Sequence, residues 1–370
     1  MVSATLPKSG ISLLEVHQTR NPVPTSKNSI AVDTTVIMTR FEPNPEALQE
    51  LKSKVVVLTG GSTGIGAATV RLLHSVGAHV VFGDINTSAA ESIVSSLGEA
   101  NKVTFVQCNA AKYQDNVALF KVAFEKFGRV DHGIANAGLV ERPGWFDAGM
   151  SLEDADKEPS TAVLDVNLTG VLYFSRVACA YLSQGPSRDR SLTLLSSVAG
   201  FEECPGLFVY QASKHGVLGL MRALRLYAPE VFGVRVNAVC PWMTKTGMVA
   251  GIEKGWEAAG LPTNEPEDIA NIVAGLASAG SSAGPGMLKN VKSEGDSGRG
   301  LGGAYNAAGY AWGETESRGG VNGRAIYIEG GKGWDVEEGL AYTQPYWLGK
   351  GPCERLVQGQ KELGSGSDWT

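Results

Sequence analysis

Short apolar segments recur along the chain at 54–59, 79–84, 102–107, 130–135, 191–196, 234–240 and 324–329, and helical patterns separate them. This alternation constrains the fold more than any other feature. A strand, a helix and a second strand in one sheet require a crossover, so the strands run parallel. The first segment, KVVVLT, is almost continuously apolar, as a strand covered on both faces must be. The clearest helices are expected over 112–127 and 208–229, and the last large one over about 266–278. The pattern predicts an α/β fold, a doubly wound parallel sheet of seven strands with helices on both faces.

The first strand leads into Gly60-Gly61-Ser62-Thr63-Gly64-Ile65-Gly66, and a helix pattern follows. Glycine permits a tight turn and lets backbone amides approach a phosphate at the helix N-terminus. The spacing is TGxxxGIG rather than the common GxGxxG, but the placement is that of a dinucleotide site in a single Rossmann-like domain. The second strand ends at Asp84, 24 residues beyond Gly60. A carboxylate there suits the free ribose hydroxyls of NAD and repels the 2'-phosphate of NADP. No Arg or Lys lies between Gly77 and Gly98 to hold that phosphate, so NAD is the expected cofactor.

Tyr210 and Lys214 stand four apart in YQASK, and Ser197 lies thirteen positions before Tyr210. Residues four apart share a helix face. An ammonium beside a phenol is expected to lower the tyrosine pKa from about 10, giving a proton donor and acceptor near neutrality. Ser197 can hold a substrate oxygen beside it.

These motifs together resemble the classical short-chain dehydrogenase/reductase family, over about residues 54–331. Thr59 to Gly66 matches its cofactor motif, and Asn136-Ala137-Gly138 its NAG motif. Asn167, Ser197, Tyr210 and Lys214 match its catalytic tetrad, and Asn237 to Pro241 the segment beside the nicotinamide. The resemblance implies cofactor contacts at Gly60, Ser62, Thr63, Gly64, Ile65, Gly66, Asp84, Ile85, Asn109, Ala110, Asn136, Ala137, Gly138, Tyr210, Lys214, Pro241 and Thr246. It also implies that Lys214 binds nicotinamide ribose and that Asn167 kinks a helix and holds a relay water. Asn109 replaces the family's usual aspartate, and its side-chain oxygen is expected to accept from the adenine amine. Trp242 replaces the usual glycine after Pro241, adding bulk beside the nicotinamide. Within the family the likeness is to fungal NAD-dependent dehydrogenases of secondary metabolism. Relatives are mostly homodimers or homotetramers, assembled through helices that would correspond to 167–182 and 208–229 here.

Substrate contacts are expected from Leu139, Val140, Gly206 to Phe208, Trp242, Met243 and Met248. They are mostly apolar and aromatic, which points to a hydrophobic or aromatic secondary alcohol. The same residues serve a ketoreductase running the other way, and an NAD-binding scaffold or sensor is the non-catalytic alternative. A net charge of −6 gives no electrostatic case for nucleic acid or an anionic membrane. No apolar run is expected to span a bilayer. Five scattered cysteines, without a CxxC pair, read as reduced residues of a cytoplasmic protein and not as metal ligands. Residues 51–335 are expected to form the catalytic domain, between a 1–50 extension and a 336–370 tail. Before Met38 the extension is expected to be either disordered or superfluous to the functional protein. Residues 280–320 carry 12 glycines and read as an insertion with little apolar surface.

Overall fold

The computed structural model describes residues 37–98, 101–185, 189–280, 287–292, 320–349 and 351–356. The chain begins with β1 (Ile37–Phe41), α1 (Pro45–Gln49), β2 (Val55–Thr59), α2 (Gly64–Ser75), β3 (His79–Asp84) and α3 (Thr87–Leu97). It continues through β4 (Val103–Gln107), α4 (Tyr113–Phe127), β5 (His132–Ala135), α5 (Leu152–Ala155), α6 (Ala162–Leu164) and α7 (Gly170–Leu182). Then come β6 (Ser191–Leu195), α8 (Phe208–Phe232), β7 (Arg235–Pro241), α9 (Glu253–Ala258) and α10 (Pro266–Ser278). After these come β8 (Leu288–Lys292), β9 (Ala325–Glu329), β10 (Lys332–Asp335) and α11 (Val336–Leu348).

The strand order is β4-β3-β2-β5-β6-β7-β9-β10-β1-β8. The run from β4 to β9 is parallel and corresponds to the seven expected strands. Three further strands, β10, β1 and β8, extend it antiparallel, so the sheet has ten strands and not seven. Two of the added strands, β1 and β8, come from segments set apart in the sequence as extension and insertion, and β10 from the end of the expected catalytic domain. Ile37 pairs with Lys292 and Phe41 with Leu288. Met287, at the start of β8, is buried in the core. Residues 1–36 and 293–319, on which most of the extension and insertion expectations fall, lie outside the described residues.

Alternation along each strand feeds two cores. Val56 and Leu58 of β2 pack with α2, α3 and α10 on one face, whereas Val55 and Val57 pack with α4, α7 and α8 on the other. Strand order reverses between β2 and β5, so the C-terminal ends of these strands open a crevice.

Two helices differ from expectation. α8 runs past Pro229 to Phe232 and ends at Gly233, whose φ of 64° is left-handed. Proline lacks the amide that would bond the carbonyl of Arg225. Asn322 Nδ2 takes that place, donating to Arg225 O at 2.8 Å. The second is Ala162–Leu182, a continuous 21-residue helical run. It is long and apolar enough to cross a membrane, contrary to the expectation that no run would be, and half of its most apolar window is buried against the protein.

The N-terminus of α11 is fixed to α8 by buried charge. Glu337 accepts from Arg222 Nη2 and Arg225 Nη1, both at 2.7 Å. Arg324 donates to Asp335 at 2.6 Å, and Asp335 also caps α11 through the Glu337 amide.

Candidate active site

A cleft of about 610 Å³ lies at the ends of β2, β3 and β5. Gly60, Thr63, Gly64, Ile65 and Gly66 form its floor, and Asp84, Ile85, Asn109 and Ala110 one end. Asn136, Ala137, Gly138 and Leu139 form the wall, with Thr246 opposite. The backbone is drawn too close for side chains. A Cβ on Gly66 would stand 1.9 Å from the carbonyl oxygen of Gly60, and Gly60 itself has φ +70°. Asn136 Nδ2 holds this turn, donating to Thr59 O at 3.1 Å and Gly60 O at 2.8 Å.

The donors and acceptors fit a dinucleotide. The N-terminal amides of α2 open onto the cleft, and the buried hydroxyl of Ser62 has no hydrogen-bond partner among the described residues. Asp84 accepts from the Ser62 amide at 3.0 Å and from the Asn86 amide at 2.9 Å, which fixes its carboxylate at the cleft's end. The Asn109 oxygen expected to meet adenine accepts from the Ala111 amide at 3.0 Å.

Beyond Gly138 the four residues singled out as catalytic come together. A Cβ on Gly138 would lie 3.5 Å from Asn167 Oδ1 and 3.7 Å from Lys214 Nζ. Asn167 sits fully buried in a π-helical turn, Asp165–Thr169, between α6 and α7, which is the kind of helix irregularity found at functional sites. Its amide clamps Leu139, accepting from Leu139 N at 2.7 Å and donating to Leu139 O at 2.8 Å. Tyr210 lies on the first turn of α8, and the Ser197 hydroxyl neighbours its phenol. Lys214 Nζ donates to Leu195 O at 2.9 Å and stands 5.5 Å from the Tyr210 ring centroid. The adjacent Ser196 is turned away and donates to Lys214 O at 2.9 Å.

Comparison with known proteins decides the family. Residues 54–256 match the sequence model of the family described as short chain dehydrogenase. The chain belongs to this family. It is 36% identical to short-chain dehydrogenase/reductase ascJ of Acremonium egyptiacum, over 62% of this chain and 75% of that protein. It is 32% identical to 5'-hydroxyaverantin dehydrogenase of Dothistroma septosporum, over 58% of this chain and 74% of the relative. The crystal structure of a short-chain dehydrogenase/reductase described as glucose/ribitol dehydrogenase, from Brucella melitensis, superposes with a TM-score of 0.54 at 28% identity, covering 62% of this chain and 90% of that one. The protein is therefore an oxidoreductase of the short-chain dehydrogenase class, resembling fungal dehydrogenases of secondary metabolism, and the family uses a nicotinamide cofactor.

In this short-chain dehydrogenase the electrostatics of the tyrosine differ from expectation. Burial pushes the Tyr210 phenol above its ordinary pKa, and the neighbouring Ser197 hydroxyl offsets only part of that. Burial also pulls Lys214 down to about 8. The i,i+4 spacing brings the ammonium over the ring, but its hydrogen bond goes to Leu195 O, and desolvation is the largest influence on the phenol.

The residues expected on the substrate side divide. Leu139 and Met248 line the cleft, whereas Met243 is buried in the core. Pro241 is buried at the end of β7, paired with Ile328. Phe208 is exposed and meets Phe146 edge-on, with ring centroids 5.1 Å apart. Trp242 is wedged between Trp256 at 4.8 Å and Tyr327 at 6.2 Å. Two charged neighbours carry no motif of their own. Arg142 lines the cleft, where it and Asp84 are the charged side chains. Glu141 touches the backbone of Tyr210. Position three or four residues past the NAG motif was the available signal for both.

Proposed function

We propose that the protein is an NAD-dependent dehydrogenase that interconverts a hydrophobic or aromatic secondary alcohol and its ketone, in fungal secondary metabolism. The observation that carries this reading is the convergence of Tyr210, Lys214 and Asn167 on the Gly138 wall of the dinucleotide cleft, with Ser197 beside the phenol. When bound, nicotinamide supplies a hydride acceptor in oxidation and a hydride donor in reduction. The chain's own residues hold the reactants and move the proton. Tyr210 Oη takes the alcohol proton in oxidation and returns it in reduction. Ser197 Oγ donates to the substrate oxygen as negative charge gathers there, and its position is already fixed by acceptance from the Ala199 amide at 3.2 Å. Lys214, protonated below about pH 8, favours the tyrosine in its anionic form during the transfer. Asn167 keeps Leu139, and so the wall beside Gly138, in register with Lys214.

Asp84 is the basis for choosing NAD over NADP. Its carboxylate stands where the ribose hydroxyls bind in such clefts, and no Arg or Lys accompanies it on the segment between Gly77 and Gly98. The relative from Dothistroma, named as a dehydrogenase of a hydroxylated compound, supports an alcohol as substrate. Phe146, Phe208 and Trp242 give the substrate side an aromatic character. A homodimer or homotetramer is favoured by the exposed apolar residues Leu172 on α7 and Leu226 and Tyr227 on α8.

The test is turnover of a panel of hydrophobic and aromatic secondary alcohols, followed by NADH or NADPH absorbance. Reduction of NAD at least about tenfold faster than NADP supports the reading. Silence with alcohols in both cofactors, and with the matching ketones and NADH or NADPH, contradicts it.

A further inference from the structure

We infer that Glu141 is a positioning residue for Tyr210, tying the first turn of the catalytic helix to the wall of the cofactor cleft. This rests on the reading of Tyr210 as the acid and base.

The first amides of a helix have no partner within it, and a Ser, Thr, Asp or Asn just before the helix usually supplies one. α8 lacks that device. Leu207 precedes it with no side-chain cap, and its first turn carries no acidic residue. The acceptor comes instead from 69 positions upstream. Glu141 Oε2 accepts from the Tyr210 amide at 2.6 Å. A carboxylate there is favoured both by the charge-assisted hydrogen bond and by the helix dipole.

What makes this more than a cap is where Glu141 is attached. It is two residues past Leu139, whose amide and carbonyl are both clamped by Asn167. Asn167 also donates to Ser213 Oγ at 3.3 Å, and Ser213 Oγ donates to Tyr210 O at 2.6 Å. The amide and the carbonyl of Tyr210 are thus both held by polar side chains, and both lead back to the segment that follows Gly138. The ring closes through Leu139, Asn167, Ser213, Tyr210 and Glu141. Through it the separation between the tyrosine and the cleft wall is set by hydrogen bonds and not by helix packing alone. Removing Glu141 leaves Tyr210 N in the first turn without an acceptor, free to shift that turn relative to Leu139.

The test compares Glu141→Ala, which removes the acceptor, with Glu141→Gln, which keeps an oxygen acceptor and loses the charge. Four readouts are needed: kcat, NAD affinity by titration, Tm, and hydrogen exchange of the peptide over 207–213. The expected result is a fall in kcat of at least about tenfold in Glu141→Ala, with NAD affinity within about twofold of wild type. Exchange over 207–213 should rise about tenfold, and Glu141→Gln should recover most of both effects. A kcat and an exchange rate unchanged in Glu141→Ala would overturn the inference. So would losses of kcat and NAD affinity in parallel with Tm, which mark a general structural role. If the wild type turns over no substrate, the enzymatic reading fails, whereas the exchange measurement still decides whether Glu141 holds the Tyr210 turn.

Discussion

An ammonium stripped of water holds its proton less firmly, and at Lys214 burial brings the pKa from 10.5 down to about 8. The unfolded chain then binds more protons than the folded one between about pH 8 and 10.5, so this residue's contribution to stability rises with pH across that window. Its full size is about 3 kcal/mol, present above the unfolded pKa and lost as pH falls to about 8. Comparing urea denaturation of wild type and Lys214→Met from pH 7 to 10.5 should show the variant's relative stability declining as pH rises. A difference independent of pH would mean that Lys214 is not desolvated in the folded protein. The same desolvation explains why reading Tyr210 and Lys214 from their spacing alone gave the wrong direction for the phenol. Spacing reports which charges meet, and says nothing of how much water each has lost.

At the level of elements, α8 shows how a helix carries a proline near its end. Pro229 offers no amide to Arg225 O, and Asn322 supplies the missing donor while accepting from the Val236 amide at 2.8 Å. Asn322→Ala should therefore cost about 2 to 4 kcal/mol in denaturant unfolding, because it orphans a buried strand amide as well as the helix carbonyl. In a Pro229→Ala background the helix can satisfy Arg225 O itself, and the cost should fall by about 1 kcal/mol. Strictly additive effects would refute the coupling. Which elements were legible follows from the range of the interactions that make them. β2 announces itself by an apolar run, and α2 by the glycines that precede it. β1 and β8 are short, and their pairing joins Phe41 to Leu288 across most of the chain, so no local pattern reveals the partner. The cap on Tyr210 was hidden for the same reason, since helix-start signals concern neighbours and Glu141 is remote.

On the scale of the whole molecule, the parallel sheet presents the glycine turn and the four candidate catalytic residues at one edge, while α11 secures the far half of the Tyr210 helix. Glu337 is the link, and it is 4% exposed between Arg222 and Arg225. Removing Glu337 takes the carboxylate from the mostly buried Arg225, while Arg222 is open enough to be solvated, so Glu337→Ala should lower stability by about 2 to 3 kcal/mol in thermal or denaturant unfolding. A change below about 1 kcal/mol would show that α11 is not docked through this carboxylate. Those effects bear on how firmly the site is held. Whether it performs the proposed chemistry is decided most directly by Tyr210→Phe, which deletes one oxygen and keeps the ring. With an alcohol that the wild type oxidises, kcat should fall by at least about a thousandfold while NAD affinity stays within about twofold. An unaltered kcat would contradict the assignment of Tyr210 as the group that moves the proton.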